Sequence, residues 1–179
     1  MINLIHQDKP FRRTRIRKER HMRKIYFIPE RCNGCLACEQ VCRQKQSQTQ
    51  SLFNSKAETP LAKPHIRVSG ADGRYSVSVC QNCVHASCVE ACMAGALSYS
   101  VSGHVSHDAR QCVSCYMCVM VCPFAAIAPQ LTTGKAGKCQ LCLDEEQPPC
   151  MIACSRKALF FGTAAEYEKE IEGDRLCIM

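Results

Sequence analysis

Sixteen of the seventeen cysteines fall into four groups of four. The first group is Cys32, Cys35, Cys38 and Cys42. The second is Cys80, Cys83, Cys88 and Cys92. The third is Cys112, Cys115, Cys118 and Cys122, and the fourth is Cys139, Cys142, Cys150 and Cys154. Groups one and three have the Cys-x2-Cys-x2-Cys-x3-Cys spacing of bacterial iron–sulfur ligation, and Pro123 completes that signature in group three. Groups two and four are the same device with a longer third loop. Three thiolates two residues apart can wrap one face of a small iron–sulfide cube within a tight loop. The fourth follows on a segment already turning away, so it serves a neighbouring cube, and groups of this kind work in pairs. A structural zinc site asks for two separated Cys-x2-Cys pairs, without two more thiols crowded behind each of them.

The text after three of the groups repeats. Cys92-Met93-Ala94-Gly95-Ala96-Leu97, Cys122-Pro123-Phe124-Ala125-Ala126-Ile127 and Cys154-Ser155-Arg156-Lys157-Ala158-Leu159 each run from a Cys through a short turn to a small residue and an aliphatic. Small residues let the backbone pass close to a cluster, where N–H groups can bond to sulfur.

Composition agrees with a chain held together by metal. The apolar fraction is 46% with Cys included and roughly 36% without it, thin for a self-sufficient core. A disulfide scaffold would need an oxidising compartment. The first 24 residues carry nine Lys or Arg and no apolar run, so they do not read as a secretory signal. Arg12-Arg13 lacks the apolar segment that should follow a twin-arginine pair. The expected location is cytoplasmic, or peripheral at a membrane through a partner. All of the net +7 lies in that leader, since the remainder balances at 14 basic and 14 acidic residues. The leader reads as a solvated, disordered arm, and Met22 competes with Met1 as the start. Four clusters of roughly −2 each, thiolates included, would bring +7 to roughly −1.

The elements that must hold the thiols are short. Residues 25–28 read as a strand before group one, and residues 44–63 as a polar, exposed insertion. Residues 66–79 read as a hairpin around Ser69-Gly70-Ala71-Asp72-Gly73, and residues 97–105 as another around Gly103. Residues 131–138 read as a linker, and residues 158–161 as a final strand. Residues 164–172 read as a helix whose Glu166–Glu172 charges form a solvated face or docking rim. The apolar stretch 116–129 is too short to span a bilayer and reads as buried core. His85, His104 and His107 are expected in surface or loop roles, because sixteen Cys suffice as ligands. Cys177 is expected to be a spare thiol.

From residue 25 to residue 162 the chain resembles the four-cluster (4Fe-4S) ferredoxin-type electron-transfer subunits of dimethyl sulfoxide reductase, formate dehydrogenase, hydrogenase and carbon monoxide dehydrogenase systems. The resemblance implies that group one pairs with group four, and group two with group three. The first cluster would then be held by Cys32, Cys35, Cys38 and Cys154. The second would be held by Cys42, Cys139, Cys142 and Cys150, the third by Cys80, Cys83, Cys88 and Cys122, and the fourth by Cys92, Cys112, Cys115 and Cys118. The chain departs from the family's fullest form in that Arg43, Met93 and Ser155 replace the proline after the last Cys. Each keeps an N–H that could bond to sulfur.

The implied fold class is α+β, with two ferredoxin-like dicluster modules, the first discontinuous and wrapped around the second. Residues 25–50 and 135–162 form the first module and residues 75–130 the second. Residues 51–74 are an insertion and hairpin, residues 1–24 the leader, and residues 163–179 a C-terminal helix and tail. The sequence holds no nucleophile with a base, no phosphate-binding loop and no open metal site. It reads as a non-catalytic redox subunit that relays single electrons between a catalytic oxidoreductase subunit and another carrier. The implied partner is a molybdenum or tungsten enzyme, a hydrogenase, or a formate or carbon monoxide dehydrogenase, with a membrane-anchor subunit beyond it. The alternatives are a free-standing soluble polyferredoxin and, third, an iron–sulfur redox sensor using the leader. Nucleic acid is not an expected partner.

Overall fold

A run as short as Lys24–Phe27 cannot stand alone as a strand; it needs a partner, and finds one near the other end of the chain. A computed structural model describes residues 22–51 and 53–176. In it β1 (Lys24–Phe27) pairs antiparallel with β8 (Leu159–Gly162), with Ile25 opposite Phe161 and Phe27 opposite Leu159. Ile25, Leu159 and Phe161 turn into the core. The leader through residue 21 and Cys177 lie outside the described residues.

Between these strands the described chain forms three hairpins and four α-helices, and a fifth helix follows β8. Helix α1 (Ala37–Gln46) carries Cys38 and Cys42 four residues apart, and so on one face. Strands β2 (Ile66–Ala71) and β3 (Arg74–Val79) are joined by Asp72 and Gly73 at φ 54° and 77°, the paired left-handed conformation of a tight hairpin. Glu39 of α1 accepts the Val68 N–H and fixes β2 against that helix. Helix α2 (Ser87–Glu90) is followed by β4 (Leu97–Tyr99) and β5 (Val105–His107), which pair with Ser98 opposite Ser106. Helix α3 (Met117–Val121) packs on α2 and leads to β6 (Ile127–Pro129), which pairs with β7 (Ala136–Lys138). Helix α4 (Pro149–Ile152) packs on α1, with Pro149 opening its first turn.

Helix α5 (Ala164–Leu176) starts from a reciprocal cap. The Thr163 N–H and hydroxyl donate to Glu166 Oε2, and the Glu166 N–H returns to Thr163 Oγ1. Tyr167 stacks on Tyr26 with ring centroids 4.4 Å apart, and Glu170 meets Arg31 at 2.9 Å. The helix expected from the sequence is therefore docked on β1 and not only a solvated face. No helix among the described residues is long and apolar enough to cross a membrane.

Three expectations need correction. The linker 131–138 ends in strand β7, whose three residues are all buried, because Gly137 and Ala136 are small enough to lie against β6. The insertion 44–63 is anchored: it begins as the last turn of α1, and Ser47, Ser55 and Ala62 are buried. Glu58 accepts the Gln48 and Thr49 N–H groups, and Gln130 clamps both backbone groups of Lys63. The stretch 116–129 is core only at Cys118, Ala126, Ile127 and Ala128; Met117, Met120 and Phe124 are exposed on the outer side of α3 and its following turn.

Buried residues gather in two clusters, and cysteines belong to both. One joins Ile25, Ile66, Val79, Leu141, Leu159 and Phe161 to Cys38, Cys80, Cys139 and Cys150. The other joins Ala86, Leu97, Val105, Ile127 and Ala136 to Cys118.

Candidate iron–sulfur centres

Each cysteine loop is shaped by residues in the left-handed backbone region. In group one these are Gly34 (φ 71°) and Leu36 (φ 59°); in group three, Ser114 (φ 60°) and Tyr116 (φ 58°) occupy the matching places. In groups two and four the matching residues are Asn82 (φ 47°) and Leu141 (φ 65°). Only Gly takes such angles freely, so five residues with side chains are held there against their preference. The loops turn their thiols inward, and α1 and α3 begin directly after them.

The sixteen thiols are all free, and twelve of them edge three hollows, in fours drawn from two groups each. Site one is a hollow edged by Cys32, Cys35, Cys38 and Cys154. Site two is edged by Cys42, Cys139, Cys142 and Cys150. Site four is edged by Cys92, Cys112, Cys115 and Cys118. At site three the thiols of Cys83 and Cys88 are both raised by burial and then by the charges of Cys80 and Cys122. Cys35 and Cys115 are the exposed thiols of the sixteen.

Burial and mutual repulsion act on nearly every site. Burial pushes Cys38, Cys88 and Cys142 up to about 11 and Cys139 up to about 12. Cys150 is driven higher still by burial and by Cys139, Cys42 and Cys142. Four thiolates around an empty hollow repel; a bound cation reverses that balance by taking them in the ionised form. A single metal ion would need its thiolates about 2.3 Å from one point. Among the described residues no three His, Cys, Asp or Glu side chains converge to hold one ion. A hollow edged by four spaced thiols fits a multi-atom iron–sulfide cube instead.

Backbone N–H groups aim at the sulfurs. Ala126 N–H donates to Cys122 Sγ at 3.4 Å and Ala158 N–H to Cys154 Sγ at 3.2 Å, the two small residues of the sequence repeat. His65 N–H reaches Cys42 Sγ at 3.2 Å, and Leu141 N–H reaches Cys139 Sγ at 3.4 Å. Met93 N–H, however, donates to the Ala91 carbonyl at 3.2 Å, because the chain turns tightly after α2.

The histidines divide. His85 is exposed, and His104 bridges Ser102 and the Arg23 carbonyl on the surface. His107 departs from the expected surface or loop role: it borders the site-four hollow, and its Nε2 is buried without a partner. Sequence reasoning passed over three further polar groups beside the sites. His65 Nε2 and Asn82 Nδ2 are buried without partners, while Asn82 Oδ1 accepts the Val105 N–H at 3.1 Å. Lys138 is only 2% exposed. The signal for Lys138 and Asn82 was their place beside ligand positions, which charge and polarity alone do not distinguish from a surface residue.

Comparison with known proteins agrees with this chemistry. Residues 71–164 match a family model described as a 4Fe-4S dicluster domain, and residues 25–45 match a 4Fe-4S binding domain. An iron-sulfur protein of Rhodospirillum rubrum is 32% identical over 75% of this chain and 79% of its own length. The thiosulfate reductase electron transfer subunit of Salmonella typhi is 32% identical over 78% of this chain and 74% of its own. The beta subunit of NADH-dependent phenylglyoxylate dehydrogenase from Aromatoleum evansii is 33% identical over 82% of this chain, which spans only 32% of that subunit. A match over more than half the chain, to a domain defined by such clusters, makes this protein a member of the 4Fe-4S dicluster ferredoxin family, whose relatives here include an iron-sulfur protein and an electron transfer subunit.

Proposed function

We propose that the chain holds four 4Fe-4S clusters, one at each four-thiol site, and relays single electrons between the catalytic subunit of an oxidoreductase and a second carrier. The observation that carries this reading is the gathering of thiols from distant groups around three separate hollows; the electrostatic influence of Cys80 and Cys122 on Cys83 and Cys88 supports a fourth set. Each cluster, when bound, supplies a one-electron couple. The chain's own residues supply the thiolates, aim N–H groups at sulfur and exclude water behind Ile25, Leu141 and Leu159. The exposed Cys35 at site one and Cys115 at site four support these two sites as the ones that face exchange partners. The pairing of groups one with four and two with three supports two dicluster modules, residues 25–50 with 135–162 and residues 75–130.

Anaerobic reconstitution tests the number of clusters. The expected content is about 16 Fe and about 16 labile sulfides per chain, and about 8 of each would overturn it. The partner is tested by anaerobic purification of the tagged chain at native abundance. A catalytic oxidoreductase subunit should co-elute, whereas an iron-loaded monomer alone would favour a free polyferredoxin.

A further inference from the structure

The interior contains a buried ammonium with no carboxylate to answer it. Lys138 lies at the end of β7, and its Nζ donates to the Val105 carbonyl and, at 2.8 Å, to the Cys139 carbonyl. Among the described residues no ion pair is formed with it. Lys45, at the rim of site two, is different: it is held by Asp144 at 2.8 Å and by Glu145, and so is already neutralised. An isolated charge in a protein interior costs far more than two carbonyl hydrogen bonds return.

The surroundings of Lys138 offer no ordinary counter-charge. A polar hollow on one side is lined by His65, His107, Lys135, Gln130 and Gln140, with no Asp or Glu. Both imidazoles are held below the usual histidine range, His65 down to about 4, by burial and then by Lys138 itself. The two carbonyls that the ammonium does reach tie it to two sites. Cys139 is itself a thiol of site two, and Val105, whose N–H is held by Asn82 Oδ1 at 3.1 Å, leans on the Cys80–Cys83 loop of site three.

We propose that Lys138 is the internal counter-cation shared by sites two and three, and that it raises the reduction potentials of the clusters there. The inference rests on the four-cluster reading. A one-electron reduction, by dithionite in the test below, adds one negative charge to a cluster. A fixed cation close by in a poorly polarisable interior stabilises that added charge. At site four Lys135 donates to the Cys112 carbonyl but is only half-buried; among the described residues Lys138 is the one buried Lys or Arg, and it distinguishes the middle two sites from the others.

The test is an anaerobic redox titration of the reconstituted full chain, followed by low-temperature paramagnetic resonance, in Lys138→Gln, Lys138→Met and Lys138→Arg. Gln keeps a donor and loses the charge, Met loses both, and Arg keeps the charge. In the Gln and Met variants two of the four midpoints should fall, with the equilibrium constant for reduction down about tenfold, which is about 59 mV for one electron. Arg should restore them. Fully loaded variants with unmoved midpoints, or with all four moved alike, would overturn the proposal. Loss of clusters in both Gln and Met would assign Lys138 to folding and overturn it as well. Failure of the unaltered chain to reach about 16 Fe would instead sink the four-cluster reading itself.

Discussion

Sites one and two, and sites three and four, use the same loops inside very different surroundings. Around the first pair stand a ten-residue helix α1, the six-residue strands β2 and β3, the β1–β8 pairing, and the Tyr26, Phe160 and Tyr167 rings under α5. Around the second pair the strands β4 to β7 have three residues each, and α2 and α3 have four and five. Yet the loop angles match to within a few degrees at Leu36 and Tyr116. Thiol placement is therefore set by the loop and the small residue behind it. The scaffold decides how much order survives without metal.

Iron removal should separate the two regions most sharply. We expect amides of residues 97–107 and 127–138 to lose exchange protection before those of β1 and β8, because elements this short have little burial of their own. Simultaneous loss would erase the distinction. Metal uptake should differ next. Burial holds the apo thiols protonated, so the empty sites are at ease below the ordinary thiol value of about 8.5 and lose that ease as pH rises towards about 12 at Cys139. Reconstitution should thus be faster and more complete at higher pH, with site two lagging most at neutral pH; equal loading rates at all four sites would break the comparison.

Side-chain changes should follow in size. Tyr26→Ala removes the stack on Tyr167 and should cost about 2 kcal/mol, read as a lower urea midpoint for loss of the absorbance of sites one and two. Gly34→Ala should cost about 1 kcal/mol or more, since its φ is 71° and a Cβ there meets the Tyr75 ring; Ser114→Gly, at the matching place, should gain about 0.5 kcal/mol in the same assay. The smallest effect concerns α5. The Thr163 N–H and hydroxyl hold the Glu166 carboxyl below its usual range, so the cap is intact above about pH 4.3 and is lost as pH falls through the depressed value. Amide exchange in α5 should rise there, and Glu166→Gln, which removes the titrating carboxyl, should abolish that pH dependence.

Most of the scaffold was legible in periodicity and turns. The strand at 25–28, the hairpins at 66–79 and around Gly103, and the final strand lie within a residue or two of their expected places, because each carries its own apolar alternation or turn residues; the final helix starts at residue 164 as expected but runs on to residue 176. The helices α1 to α4 were not foreseen, since their sequences are dominated by thiols whose spacing speaks of metal and not of amphipathic faces. Strand β7 was missed because Ala136-Gly137 looks like linker, though smallness is what lets it lie against β6. The thiol groups themselves were plain in the spacing. The buried polar groups between them were not, because burial of Lys138 is a consequence of tertiary packing that local sequence does not encode.

The pairing of β1 with β8 also has a meaning for biosynthesis. Residue 24 finds its neighbour only at residue 162, so β1 must leave the ribosome and wait until the chain through residue 162 has followed it. Helix α1 likewise waits for α4. Residues 80–138, by contrast, find their hairpin and helix partners among themselves and can close while translation continues. A nascent chain stalled late in synthesis would thus present one finished half and one open half to the iron-delivery machinery.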